Sequence, residues 1–339
     1  MEYKLIISLD KINAFYILNE KLYWIKDNVL YHDNDVINSG VDITFLKHID
    51  NSPVYRKQGC THYKDIVIEI SLVDISNFGD FFLFSSSLDV TDFSLRFEIF
   101  NNFPNINLVR DLGRLTIFKS VVWVEGFFFL IYRNYILKFG LENYELDNQD
   151  FFNLNQIQNL DADTKIYEVV AVWQNLLIVF LSNFRLLALD KTTGELVHDL
   201  PLGEMYALEP QNYLSSHSAM HLDAENNRLI WLSIYSLIHI DLNTFESTLV
   251  KDFFKAPIDQ RWRFDVSTLY NGKLYSTADL GMQYVVPTRL CVLDAETGDL
   301  EWHTQLFKTG GLSSPPKVTE DKLYVRSSRG KLFIFEKED

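Results

Sequence analysis

Residues 289–306 read RLCVLDAETGDLEWHTQL: an apolar run as far as Asp294, a small polar turn at Thr297-Gly298, and a second run carrying Trp302. An apolar run, a glycine turn and a resumed run describe a β-hairpin. The same shape returns as RLLALDKTTGELVHDLPL from Arg185, SLIHIDLNTFESTLVKDF from Ser236 and YILKFGLENYELDNQDFF from Tyr135. The residues closing the first run of each copy, Gly140, Asp190, Asp241 and Asp294, are spaced by 50, 51 and 53 positions. A repeat of about 50 residues indicates a propeller or an array.

Upstream of each hairpin lies another apolar strand, EGFFFLIY, NLLIVFLS, NRLIWLSI and GKLYSTAD in chain order. Each follows a tight turn: Glu125-Gly126, Gln174-Asn175, Asn226-Asn227 and Asn271-Gly272. Asn-Gly in particular supplies the positive φ angles that a two-residue hairpin demands. The unit is therefore strand, turn, strand, loop, strand, turn, strand, a four-stranded antiparallel blade. Weaker copies start near Asn19 (NEKLYWIKDNVLYHDND), near Gly79 (GDFFLFSSSLDVTD) and at the end (EDKLYVRSSRGKLFIFEKED), which brings the count to seven, at about 48 residues each. Six and eight blades stay open. The expectation is an all-β chain, one β-propeller domain over residues 1–339 with seven four-stranded blades, closed by the N-terminal EYKLIISLD pairing in the last blade. Closure follows from physics, because free sheet edges invite pairing with other chains.

Composition narrows the class. Of 339 residues, 47% are hydrophobic and 23% charged, which excludes a disordered chain. A net charge of −15 repels nucleic acid and anionic membranes and attracts basic partners. The apolar run before Asp10 is too short for an export signal and no run approaches a membrane span, so the expected compartment is the cytoplasm. Cys60 and Cys291, the two cysteines, provide no disulfide framework.

LDAETGDLEW, LDKTTGELVH and the terminal SSPPKVTEDKLYVRSSRGKLFIFE resemble the repeats of the PQQ-like propeller family, clearly over residues 175–338 and faintly before about 120. That family includes quinoprotein alcohol dehydrogenases and scaffold lipoproteins of outer-membrane assembly. The resemblance implies the fold, and function does not follow from fold alone. A quinoprotein enzyme requires adjacent cysteines, a calcium site, an Asp base and often a C-x-x-C-H haem motif; here the cysteines lie 231 positions apart. The lipoprotein role requires a leader and a lipid-bearing Cys. The expected chain is thus non-enzymatic, without cofactor or metal. In the turns, Gly194 and Gly298 take a backbone angle closed to other residues, and Trp302 packs between neighbouring blades.

Other motifs carry less. His217 and His221 of HSAMH share one face of a helix, yet on the expected strand they are about 13 Å apart, too far for one metal ion. Cys60-Thr61-His62 lacks further ligands, and Gly272-Lys273 and Gly330-Lys331 lack the rest of a phosphate loop. Arg261-Trp262-Arg263 reads as a solvated loop, with stacking on an anionic group as the other reading.

Short turns mark one rim and long connections the other: residues 148–165, 203–218, 251–264 and 279–289. The second rim is the candidate partner surface. It carries Phe151, Phe152, Tyr206, Tyr213, Phe253, Phe254, Trp262 and Tyr284, of the type enriched in interface cores, together with Glu142, Glu145, Asp147, Asp150, Asp161 and Asp163. The other reading of these aromatics is packing beneath their own loops. The function expected is a protein-binding propeller, concretely an immunity protein that neutralises a basic, nuclease-like toxin. The alternatives are a small-molecule or PQQ-like enzyme propeller and a general assembly scaffold.

Overall fold

A computed structural model describes residues 2–338 except 19, 34, 40–42, 50–51, 59, 64–65, 69–71, 79–80, 88–94, 102–106, 116–120, 125–126, 133, 141–150, 158–159, 162, 207–219, 282–286, 308–310 and 313. The repeated turn folds alike in three copies. The side chain of Asp190, Asp241 or Asp294 accepts the backbone N–H groups two and three positions on, at 2.7–3.0 Å. The N–H four positions on, from Gly194, Phe245 or Gly298, donates to the Asp carbonyl at 2.8–2.9 Å. The Thr hydroxyl then accepts the N–H of Glu195, Glu246 or Asp299 at 3.2 Å. Each backbone group that leaves the ladder finds a local partner, which is why this pentapeptide marks the repeat.

Strand β1 (Glu2–Leu9) opens the chain. Then come β2–β5 (Ile12–Leu18, Lys21–Lys26, Val29–His32, Asp35–Ser39), β6–β9 (Thr44–Ile49, Ser52–Lys57, Cys60–Tyr63, Ile66–Ile68) and β10–β13 (Leu72–Phe78, Phe81–Ser87, Leu95–Asn101, Asn107–Leu115). Strands β14–β17 are Val121–Val124, Phe127–Tyr132, Tyr135–Gly140 and Phe152–Asn153; β18–β21 are Ile166–Trp173, Leu176–Leu181, Leu186–Asp190 and Leu196–Leu200. Strands β22–β25 are Met220–Asp223, Arg228–Leu232, Ser236–Asp241 and Ser247–Asp252; β26–β29 are Trp262–Tyr270, Lys273–Leu280, Arg289–Asp294 and Leu300–Gln305. Finally β30–β32 are Lys317–Val318, Lys322–Arg326 and Leu332–Glu338. Each group of four is one antiparallel sheet in sequence order, and the last sheet runs β1-β32-β31-β30. The N-terminal strand completes that sheet, with Leu9 opposite Leu332 and Glu2 opposite Glu338, as its sequence position anticipates.

Among the described residues there are eight four-stranded sheets, where the repeat spacing predicts seven. The difference lies between Thr44 and Leu115, read from sequence as one weak copy near Gly79 but folded as β6–β9 and β10–β13. Strands of three to six residues, one containing Pro53, give β6–β9 no long apolar run to recognise.

Two compact units divide the chain: residues 1–13 with 209–339, and residues 14–208. In each unit one second strand is buried on both faces along nearly its whole length, β19 (LLIVFL) and β23 (RLIWL), and each reads as a continuous apolar run. One core lies between β14–β17 and β18–β21, built on Phe129, Ile131, Leu177 and Val179. In the other unit Leu232, Phe264 and Leu293 form a second, and Leu290, Val325 and Phe335 a third. Trp302 on β29 meets Tyr3 on β1 and Phe335 on β32 edge-on, with ring centroids 5.3 and 5.8 Å away, so it does pack between neighbouring sheets.

Candidate functional site

The connection from β25 to β26 is tied down at both ends. Phe253 N–H donates to the Tyr235 carbonyl at 2.7 Å, and Phe264 N–H to the Ile234 carbonyl at 2.9 Å. Consecutive aromatics in extended chain point opposite ways. Phe253 turns inward, 8% exposed and 4.7 Å from the Phe264 ring, whereas Phe254 turns outward, 51% exposed. The Asp252 carboxylate accepts the Phe254 N–H at 2.9 Å and pairs with Lys255.

Phe254 is held on two sides. The Tyr235 ring meets it edge-on at 5.3 Å, and the Arg261 guanidinium lies 4.1 Å from its ring centroid while Nε donates to the Ala256 carbonyl. Burial raises the Tyr235 pKa, opposed by the nearby Arg263 and Arg261 charges. Ile258, on the same connection, is 63% exposed. Trp262 is half-buried, stacked with Phe264 and edge-on to His303. An exposed aromatic fixed by a Tyr and an Arg has the make-up of an interface anchor, at little cost in side-chain ordering. Sequence reasoning selects Phe254 and Trp262 but misses Tyr235, which sits in the short Ser233–Tyr235 connection and not in a long insertion. It also assigns Phe253 and Phe152 to the surface; both are core residues, Phe152 at 3% exposure, because each is the inward member of an aromatic pair.

In the 14–208 unit, Phe151 is half-buried, 4.9 Å from Phe129. Its carbonyl lies where a Cβ on Gly194 would sit, 1.9 Å away, so the glycine turn docks against the preceding sheet. Beside it the buried Lys138 donates to the carbonyls of Lys191 and Thr192 at 3.1 and 3.2 Å, 4.2 Å above the Phe127 ring. Asp161 and Asp163 are exposed, and Tyr206 is half-buried after the one-turn helix Leu202–Met205. Asp161 borders a cavity of about 170 Å³ lined by Asn134, Leu154, Asn155, Ile157, Leu160 and Thr164. Glu142, Glu145, Asp147, Asp150, Tyr213 and Tyr284 lie outside the described residues.

The remaining motifs have structural partners. His221 Nε2 lies 2.8 Å from Ser267 Oγ, joining β22 to β26, and burial pushes its pKa down to about 4; His217 lies outside the described residues. His239 Nε2 is 2.9 Å from the Ala295 carbonyl, and Arg228 bridges Asp223 and Glu296 beside it. His62 stacks on Tyr55. Lys273 pairs with Asp294 and Glu301, holding the Asp294 carboxyl down at about 2. Burial raises the Cys291 thiol far above its ordinary range. Among the described residues no three His, Cys, Asp or Glu side chains are grouped to hold a metal, and no helix is long and apolar enough to cross a membrane.

No curated protein matches the chain by sequence. Residues 254–339 match the family model of the outer membrane protein assembly factor BamB. Among solved structures, the computationally designed Ika8 protein is similar at a TM-score of 0.60 and 10% identity, over 97% of this chain and 96% of that one. Sqt1 of Saccharomyces cerevisiae gives 0.59 and 11%, over 99% and 98%. BamB from Moraxella catarrhalis gives 0.46 and 11%, over 99% and 100%. Residues 254–339 thus carry repeats of the PQQ-like, BamB type, on a chain built throughout from propeller-type blades.

Proposed function

We propose that this chain is a non-catalytic protein-recognition module whose loop connections grip a basic protein. The observation that carries the reading is Phe254, half exposed on a tethered connection and fixed between Tyr235 and the Arg261 guanidinium. Its preference for a basic partner is supported by the net charge of −15, which steers cations toward the chain. The sharper form of the proposal is an immunity protein that masks a basic, nuclease-like toxin, its carboxylates standing in for the phosphates the toxin binds. Two free thiols, one of them buried, favour a reducing compartment, the cytoplasm, for this role.

Capture on the immobilised chain tests the proposal. Wild type should retain a stoichiometric basic protein from extracts of its own cells and release it with salt, while Phe254→Ala and Ile258→Asp should each weaken retention at least about tenfold. A captured protein retained equally by both variants would overturn the site. The match of residues 254–339 to an assembly factor favours one second reading, a scaffold for protein assembly. That scaffold would retain several partners instead of one basic protein.

A further inference from the structure

We infer that the cavity beside Asp161 is a socket for one lysine or arginine side chain of a protein partner, an inference that rests on the recognition reading above and names what is recognised. A volume of about 170 Å³ suits a single side chain. An apolar cavity of about 150 Å³ admits benzene, whereas cofactor and drug-sized sites start at about 300 Å³.

The lining has two chemistries. Leu154, 2% exposed, with Ile157 and Leu160, gives the lining its aliphatic part, and Asn134, Asn155, Asp161 and Thr164 are its polar residues. Asp161 is the one ionisable residue in that lining among the described residues. A methylene stem ending in a cation satisfies both parts: its stem covers the aliphatic part while its head meets the carboxylate and amide oxygens. An anion would face Asp161, and a purely apolar group would strip water from the carboxylate without replacing it.

The walls are fixed before any ligand arrives. Leu154 N–H donates to the Asn134 carbonyl at 2.9 Å, Ile157 N–H to the Leu154 carbonyl at 3.0 Å, and Thr164 N–H to the Asp161 carbonyl at 2.9 Å. The Asn153 side chain accepts the Asn155 N–H at 2.9 Å, capping the single helical turn Leu154–Gln156. A preformed socket spares the ordering cost of binding.

The test is methyl NMR on the full chain labelled at Leu and Ile, titrated with N-acetyl-lysine methylamide, N-acetyl-arginine methylamide and the uncharged N-acetyl-norleucine methylamide. Saturable shifts at the Leu154, Ile157 and Leu160 methyls are expected with a cationic probe and not with norleucine, and Asp161→Asn should weaken them about fivefold or more. The arm that binds more tightly decides between lysine and arginine. Silent methyls, equal binding of norleucine, or an unaffected Asp161→Asn variant would overturn the socket. Loss of the socket alone leaves capture through Phe254 intact, whereas failure of the recognition reading appears as absent capture with the probe still bound.

Discussion

Gly194 and Gly272 share the left-handed backbone region, at φ +77° and +68°, yet they answer to different constraints. A Cβ at Gly272 meets nothing within 4 Å, so Gly272→Ala should cost only the conformational penalty, ~1 kcal/mol. A Cβ at Gly194 would fall 1.9 Å from the Phe151 carbonyl oxygen, a backbone atom that cannot turn aside. Gly194→Ala should therefore cost about 3 kcal/mol or more, and urea unfolding of the two variants side by side measures the gap. Proton linkage gives a second test at this scale. His221 is held at about 4 against an ordinary 6.5, so the native state binds fewer protons than the unfolded chain between those values. Its contribution is complete above pH 6.5 and is lost as pH falls toward 4. Between pH 7.5 and 5 the loss should be about 2 kcal/mol, and His221→Gln should flatten the slope. The turn glycines were legible in sequence because glycine takes a positive φ without strain, although in the β24–β25 turn Phe245 holds the equivalent place at φ +56°. The inward and outward members of the Phe253-Phe254 and Phe151-Phe152 pairs were not, since the alternation rule fixes opposition but leaves direction to the tethering hydrogen bonds.

The strand β1 is the element on which the last sheet depends. It pairs along its length with β32, and its Tyr3 is buried against Trp302 and hydrogen-bonded to the Tyr275 hydroxyl at 3.1 Å. Removing residues 1–9 exposes the β32 edge and empties Tyr3's place in the core. The melting temperature should then drop by on the order of 10 °C, and Tyr3→Ala alone should account for a large part of it, read by calorimetry. The pairing could be foreseen because the final copy ends one strand short and the chain begins with an apolar strand that no other copy claims. The β6–β9 sheet escaped the same reasoning: its strands are too brief to show a period, and the connection between its last two strands, Lys64-Asp65, has no room for the Asp-to-Gly turn of the β20–β21 and β28–β29 copies. Tyr235 escaped for a related reason, since a three-residue connection gives no compositional hint that its ring supports a neighbour's.

Charge acts on the molecule as a whole. With −15 spread over 339 residues, capture of a basic partner should be governed by screening, its association rate falling about tenfold between 50 and 300 mM salt. Phe254→Ala should leave that salt slope unchanged and act on the dissociation rate, a division that stopped-flow and surface-binding kinetics resolve. The acidic balance was readable from composition, while the Tyr235, Phe254 and Arg261 cluster emerges only when the β24–β25 hairpin folds and brings the connections on either side of it together. The pairing of Leu9 with Leu332 also bears on biosynthesis. The first strand leaves the ribosome 323 positions ahead of its partner, so the nascent chain must carry an unmatched, apolar-rich ribbon through most of translation. Slowing elongation or withholding chaperones should therefore penalise this protein more than a version permuted so that the two strands are made in succession.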